Sequence, residues 1–456
     1  MKVAVIGGGW AGLAAAVELA HAGVKVTVFE AAKQLGGRAR SVEVNGHTLD
    51  NGQHILVGAY AETLRLMRLV GINPERVLKR LPLELNFPGS QPPFCMRLPR
   101  LPAPLHLAIG LFAARGSTLG EKLSAVRFMR FLQAADYQLE ADCTVSALLD
   151  GHAQHGSLRQ HLWEPLCLAA LNTEPENASA QIFANVLRDS LGGGRAETDL
   201  LLPTADLDHL FPLAAAAFIR TQGGEIRLST RVESVDDLLT KRGEIAGEAF
   251  DHLFDHLILA VAPQHAAAFL TVHPATAQTA AMLSSYTYEP IGTVYAGYPS
   301  EFSLPFPMLG LNGGSGGSEG KLGQWVFDRG ALGGAHGVMG FVLSARGAWD
   351  ERDNEALAAA LHVELEDALQ KKLPQPLWHQ VIRERRATFS CRPNLPRPTA
   401  STEQNGLWLA GDYVCANYPA TLEGAVRSGI AAAHGVLKSI FTTEAQRHRD
   451  DTEKTY

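Results

Sequence analysis

Five cysteines in 456 residues (Cys95, Cys143, Cys167, Cys391 and Cys415) are too few and too scattered for a disulfide framework, and no two sit at a metal-ligand spacing. Their sparseness favours a reducing, cytoplasmic setting. Long apolar runs are missing too: residues 104–114 and 210–219 come nearest, well short of the ~20 that span a bilayer. The apolar start is broken at once by Gly7, Gly8 and Gly9, which reads as the beginning of a fold and not as a secretory signal. Positive charge is not in excess: 40 Lys and Arg stand against 47 Asp and Glu, a net charge of −7, and the basic residues are dispersed. Phosphate binding by a nucleic-acid partner needs a concentrated basic face, so that class is excluded. The 17 histidines form no HxxxH pair suited to a helical metal site, so no metal is expected. No repeat of 20–50 residues is present.

What remains is an ordinary globular balance, 46% hydrophobic and 19% charged, with an unusual 44 glycines. The apolar run Lys2–Ile6 reads as a strand buried on both faces, Ala11–Ala22 as a helix stopped by Gly23, and Val24–Phe29 as a second strand. Together they form a βαβ unit. Gly7-x-Gly9-x-x-Gly12 fills its turn, and Glu30 ends the second strand. Gly7 permits the tight turn, Gly9 lets backbone approach a pyrophosphate, and Gly12 lets helix and strand pack closely. The helix N-terminus, opened by Trp10 and Ala11, faces the phosphates, and Glu30 is placed to accept hydrogen bonds from a ribose diol. A dinucleotide is the ligand these residues require. Further strands are expected in 225–235, 257–262 and 406–410, with an Ala- and Gly-rich helix over 423–439.

Directly after Glu30 comes Leu35-Gly36-Gly37-Arg38-Ala39-Arg40, and near the other end stands Leu409-Ala410-Gly411-Asp412 followed by Glu423-Gly424-Ala425. This pair of motifs resembles the two-dinucleotide-binding-domain flavoproteins, the superfamily of amine oxidases, protoporphyrinogen oxidases and phytoene-type desaturases. The resemblance implies FAD as cofactor. It implies a Rossmann-like α/β FAD-binding domain in three pieces (1–80, 205–265 and 395–440), with an inserted α+β substrate domain (81–204 and 266–394). Residues 441–456, polar and mixed in charge, are expected to be a disordered tail. The GGSGGSEG stretch from Gly313 to Gly320 is expected to be a flexible loop. The resemblance places Gly36, Gly37, Arg38, Val232, Gly411, Asp412, Leu422, Gly424 and Ala425 on the cofactor, and Gly52 and Gln53 of Asp50-Asn51-Gly52-Gln53-His54 near the flavin ring.

The segments Trp163-Glu164-Pro165-Leu166, Ala169-Ala170-Leu171-Asn172-Thr173 and Ala178-Ser179-Ala180 resemble the hydroxysqualene dehydroxylase family, as do the Asp50–Leu56 stretch and Tyr418–Glu423. The implied reaction is reductive: hydroxysqualene and reduced flavin give squalene, water and oxidised FAD. Such chemistry needs an acid at the departing hydroxyl, a dry apolar cavity, and aromatic faces to steady positive charge. Candidates for the acid are His54, Glu164 and Glu423. Each also has a plainer reading, as a polar loop residue, a turn former before Pro165 and a helix cap respectively. Trp163, Phe183 and Tyr418 are candidate cavity walls or simply core. Cys415, near the expected flavin, reads as a buried free thiol. Implied partners are a C30 isoprenoid and synthases of the squalene pathway. The segment from Met96 to Lys122, apolar and flanked by arginines, either rests on the inner membrane surface or packs as a core helix. Open alternatives are a phytoene-type desaturase, an amine oxidase using Tyr413 and Tyr418, and a non-catalytic flavin-bound lipid carrier.

Overall fold

The computed structural model describes residues 1–235, 242–245, 248–251, 254–312 and 321–453. The Gly313–Gly320 stretch lies outside the described residues.

The helix Trp10–His21 buries eleven of its twelve residues, mostly Ala, Gly and Leu. Small side chains let it lie between a sheet and a second helix layer without separating either. On one side is a five-stranded parallel sheet in the order Glu225–Arg227, Lys25–Phe29, Lys2–Ile6, His256–Leu259 and Leu407–Leu409. The first strand of the chain is therefore central, with Val3 paired to Val26 on one side and His256 on the other. Strand residues such as Val3, Val5, Leu257 and Ile258 are fully buried, as continuous apolar runs in a doubly covered sheet should be. The strand expected over 225–235 ends already at Arg227. On the other side of the first helix lies the final helix, Leu422–Glu453. A Cβ added at Gly429 would fall 2.1 Å from the Ala11 carbonyl oxygen, so the two helices touch backbone to backbone.

The second unit is built on an antiparallel sheet ordered Met308–Gly310, Trp325–Asp328, Val338–Ser344, Tyr288–Gly297 and Trp378–Phe389. Helix Asn354–Leu369 covers one face through Leu357, Leu361 and Leu365. Helices Leu119–Ala134, Val145–Gly151, Glu164–Leu171 and Ala180–Leu191 share a core containing Phe128, Trp163 and Phe183. The α+β insertion expected from sequence is present. Its edge is shared, because Leu78–Leu81 pairs with Leu200–Pro203 across the expected boundaries at 80 and 204.

The segment after helix Glu164–Leu171 joins helices to sheet. Asn172, in the left-handed region at φ +46°, donates from Nδ2 to the Pro290 carbonyl (3.3 Å) and Thr388 Oγ1 (3.0 Å), and accepts from Ala345 N (2.7 Å). Thr173 Oγ1 accepts from Cys391 N at 3.0 Å.

The disordered tail expected over 441–456 is corrected for 441–453, where the final helix continues to Glu453; residues 454–456 lie outside the described residues. Residues 441–453 contain no Gly or Pro to stop it and include good helix formers (Ala, Glu, Gln, Arg). Polarity alone does not separate coil from a polar helix.

Replacing Gly429 by Ala should cost about 1–3 kcal/mol, because backbone cannot yield as a flexible side chain can. Thermal unfolding of the flavin-loaded protein checks this. A variant as stable as the parent would mean that the two helices can separate at no cost.

Candidate active site

The glycine turn has no room for side chains. Gly7 sits at φ +111°, and a Cβ at Gly12 would lie 1.9 Å from the Gly7 carbonyl oxygen. Helix Trp10–His21 starts at Gly9 with no side-chain cap, so the N–H groups of its first turn are available to an anion. Glu30 is held by Gly8 N on Oε2 and Ala32 N on Oε1, both at 2.7 Å. Its oxygens keep lone pairs for a ribose diol. The loop carrying Val232 reaches the same place, since Thr230 N donates to the Glu30 carbonyl at 2.9 Å, and Val232 is buried.

The second glycine motif lies on the first. Gly36 N donates to the Gly8 carbonyl at 2.9 Å, and a Cβ at Gly37 would stand 3.2 Å from Gly9 Cα. Trp10 Nε1 donates to the Ala39 carbonyl at 3.2 Å and fixes the strap. Arg38 then crosses to the C-terminal motif: Nη2 donates to Asp412 Oδ2 at 2.7 Å, and Nη1 to the Ala387 carbonyl at 2.5 Å. Gly411 N is held by Ser428 Oγ at 2.8 Å. At Gly424, a Cβ would meet the Pro419 carbonyl oxygen at 2.8 Å, and its N–H donates to Thr421 Oγ1. Leu422 and Ala425 stand beside it, partly buried in the core around the first helix. The glycine strap and Arg38 thus join the glycine turn to the Asp412 loop, and Leu422 and Ala425 pack against the same core as Trp10 and Ala11. Sequence reasoning missed Arg397. Its guanidinium donates to the carbonyls of Asp412 (2.5 Å), Tyr413 (3.0 Å) and Tyr418 (2.5 Å), and lies 4.6 Å from the Phe389 ring centroid. It sets the shape of the loop that carries Asp412.

The Asp50–His54 loop lies between this wall and the antiparallel sheet. Asn51 N and Nδ2 donate to the carbonyls of Arg40 (2.8 Å) and Arg38 (3.3 Å). Gln53 Oε1 accepts from Arg329 Nη1 at 3.1 Å, and the same nitrogen stands 3.6 Å from Asp50 Oδ2. Asp50 is fully buried and also accepts from Leu207 N at 2.9 Å. Burial pushes its carboxyl up to about 6 despite the opposing pull of Arg329. Neither Asp50 nor Arg329 was singled out from sequence, because their partnership spans two domains.

Of the three candidate acids, His54 lies beside Gly52 in this loop. Its Nδ1 is 2.7 Å from the Gly52 carbonyl oxygen, which fixes the tautomer with Nδ1 donating and Nε2 as acceptor. Burial holds its pKa below the ordinary imidazole value. The structure gives the other two different work. Glu423, with no exposed surface, accepts from Glu62 N (3.1 Å), Thr63 N (2.9 Å), Thr63 Oγ1 (2.7 Å) and Arg427 Nε (2.7 Å). It caps helix Ala61–Leu69, not its own helix, and its oxygens are taken up by four donors. Glu164 Oε1 is paired with Arg159 Nε at 2.7 Å within the helical layer. Trp163 and Phe183 are core, Trp163 packing edge-on to Phe128 at 5.4 Å. Tyr418 OH donates to Asp189 Oδ2 at 2.6 Å.

A carboxyl raised in the folded state contributes stability below its unfolded pKa and loses it as pH rises through the folded one. Wild type should therefore lose about 2 kcal/mol relative to Asp50→Asn between pH 4 and pH 7. Denaturant unfolding of both proteins across that range checks this. A constant difference would show that Arg329 keeps the carboxyl at its ordinary value.

A glycine-lined turn, an uncapped helix N-terminus, a fixed acidic residue and a distant Arg–Asp bridge on one wall fit a dinucleotide that carries a second ring system, as FAD does. The profile of the family described as flavin containing amine oxidoreductase matches residues 10–437. Hydroxysqualene dehydroxylase of Rhodopseudomonas palustris is 30% identical, covering 95% of this chain and 98% of that protein. The protein of that name from Sinorhizobium fredii is 28% identical, covering 97% and 99%. Zeta-carotene desaturases match over about half of this chain or less. Among solved structures, putrescine oxidase bound to putrescine superposes with a TM-score of 0.70 at 16% identity, covering 96% of this chain and 99% of that one. The fold, the cofactor wall and these likenesses agree: the chain is an FAD-dependent oxidoreductase that belongs to the flavin containing amine oxidoreductase family and, within it, to the family of the hydroxysqualene dehydroxylases.

Proposed function

We propose that this protein reduces hydroxysqualene to squalene, with loss of the allylic hydroxyl as water. The observation that carries this is the end-to-end match to hydroxysqualene dehydroxylases in a chain whose two flavin motifs close into one wall. Carotenoid desaturation, the other reading of the same fold, has the weaker matches: a 15-cis-phytoene desaturase of Arabidopsis thaliana covers the whole chain at only 23% identity, and the zeta-carotene desaturases cover about half of it or less.

FAD, when reduced, supplies a hydride for the carbon that loses oxygen. The protein's task is to bring a proton to that oxygen and to keep water from the cation-like carbon. His54 is the group we assign to the proton. Its Nδ1–H is committed to Gly52, which leaves Nε2 as the exchanging atom, and burial makes the imidazolium a stronger acid than a solvated one. Gln53, clamped by Arg329, and Gly52, beside the buried Thr293 hydroxyl, hold the loop against the sheet. Glu164 is spent on Arg159 and Glu423 on the start of helix Ala61–Leu69, and neither takes part in the transfer. The five free cysteines support a reducing compartment, and the reading implies synthases that make this C30 alcohol as pathway neighbours.

Anaerobically reduced holoenzyme mixed with hydroxysqualene should reoxidise its flavin while squalene appears in step, followed by absorbance and mass. Flavin that stays reduced, with substrate recovered intact, would overturn the reading. His54→Gln should slow flavin reoxidation by about 10²–10⁴-fold while retaining FAD. Because the acid form is the active one, the wild-type rate should rise as pH falls toward the depressed imidazole pKa, and the variant should lose that dependence. Glu164→Gln should reoxidise at a near wild-type rate. The opposite pattern would move the proton donor to Glu164.

A further inference from the structure

Helix Leu105–Ala113 rests its inner face on the hairpin strand Phe94–Arg97 and the residue after it: a Cβ at Gly110 would meet Leu98 Cδ2 at 2.4 Å, and His106 is fully buried. Its outer face carries Leu105, Ile109 and Phe112, which are 54%, 46% and 45% exposed. Their spacing puts all three on one side of the helix. The next helix, Leu119–Ala134, continues the surface with Leu119, Leu123 and Phe131, which are 63%, 41% and 39% exposed. Lys122 spends its ammonium on the carbonyls of Phe112 (2.9 Å) and Ala114 (2.7 Å), locking the two helices together. Ala125, Phe128 and Leu132 take the second helix's inner side into the core. The apolar tips have no inward role left.

Charge distinguishes this surface from an ordinary protein contact. Residues 97–130 hold six basic side chains and one acidic one, Glu121, in a chain of net charge −7. Glu121 is turned to Thr118 and Ser157 within the fold. Arg100, Arg115, Arg127 and Arg130 are exposed around the apolar tips, and no carboxylate among the described residues pairs with them. Large apolar tips among unpaired guanidiniums match a surface that is anionic outside and hydrocarbon within. No helix among the described residues is long and apolar enough to cross a membrane, so such contact is made by lying on the surface.

We infer that the exposed face of helices Leu105–Ala113 and Leu119–Ala134 docks on an anionic lipid bilayer, with Leu105, Ile109, Phe112, Leu119 and Leu123 entering the acyl boundary. The inference does not depend on the proposed reaction, since vesicles without substrate test it. Full-length holoprotein should co-sediment with vesicles of phosphatidylglycerol and phosphatidylethanolamine, and far less with pure phosphatidylcholine. Raised salt should weaken the binding. Ile109→Glu/Phe112→Glu should lower the partition coefficient at least about tenfold, and Arg127→Gln/Arg130→Gln by roughly tenfold or more on anionic vesicles only. Retained flavin absorbance and an unchanged melting transition show that the variants fold. Binding that is equal in wild type and both variants, or no binding at all, overturns the inference. A wild-type dimer that the Glu variant abolishes, without vesicle binding, also overturns it and gives the face to a second copy of the chain.

Discussion

The bridge from Arg38 to Asp412 joins residues 374 positions apart, and the cofactor wall depends on it. On one side of it the glycine strap 36–37 lies on the glycine turn 7–9, close enough that no side chain fits between them. On the other, the Asp412 loop is held by four carbonyl contacts to Arg397 and by Ser428 beneath Gly411. Each half is a local structure with its own reason to form. The ion pair, the close contact of Gly429 with the first helix and the pairing of Leu407–Leu409 into the parallel sheet make them one site. Arg38 is partly exposed while Asp412 is buried, so the pair is desolvated on one side only, and that lowers its cost.

A second constraint links this wall to the substrate side. The Asp50–His54 loop is tied backward to Arg38 and Arg40 and forward to Arg329 on the antiparallel sheet. A buried carboxylate beside a buried guanidinium is expensive, and Asp50 Oδ2 has no hydrogen-bond partner among the described residues. That expense is understandable where a loop must sit in one position between two domains. Asn172 and Thr173 do similar work with neutral groups, fastening the helical layer to the same sheet. The family-like middle segment thus packs as core and fastens the helical layer to the sheet.

The βαβ unit, the glycine strap and the Gly411-Asp412 turn were legible in sequence because each is a short-range pattern set by backbone geometry. The parallel sheet was legible for the same reason, apart from strand lengths. Glu423 was ambiguous because the donors that saturate it come from Glu62 and Thr63, 361 and 360 residues away. Arg329 and Arg397 carried no local signal at all: each is a lone arginine whose meaning lies in carbonyls and carboxylates of other segments. The continuation of the last helix was hidden by composition, which reports solvation better than it reports backbone order. The apolar, arginine-flanked segment after Met96 left two readings open. The exposed tips of Leu105, Ile109 and Phe112 favour the surface-lying one.

The central claim is that hydride passes from flavin to the carbon that loses oxygen, and it is tested most directly by a single anaerobic turnover in heavy water. The transferable hydrogen on reduced flavin exchanges with solvent, so the account predicts squalene carrying one deuterium at the former carbinol carbon and oxidised flavin in equal amount. Squalene without deuterium at that carbon, or flavin left reduced beside unchanged hydroxysqualene, would contradict it.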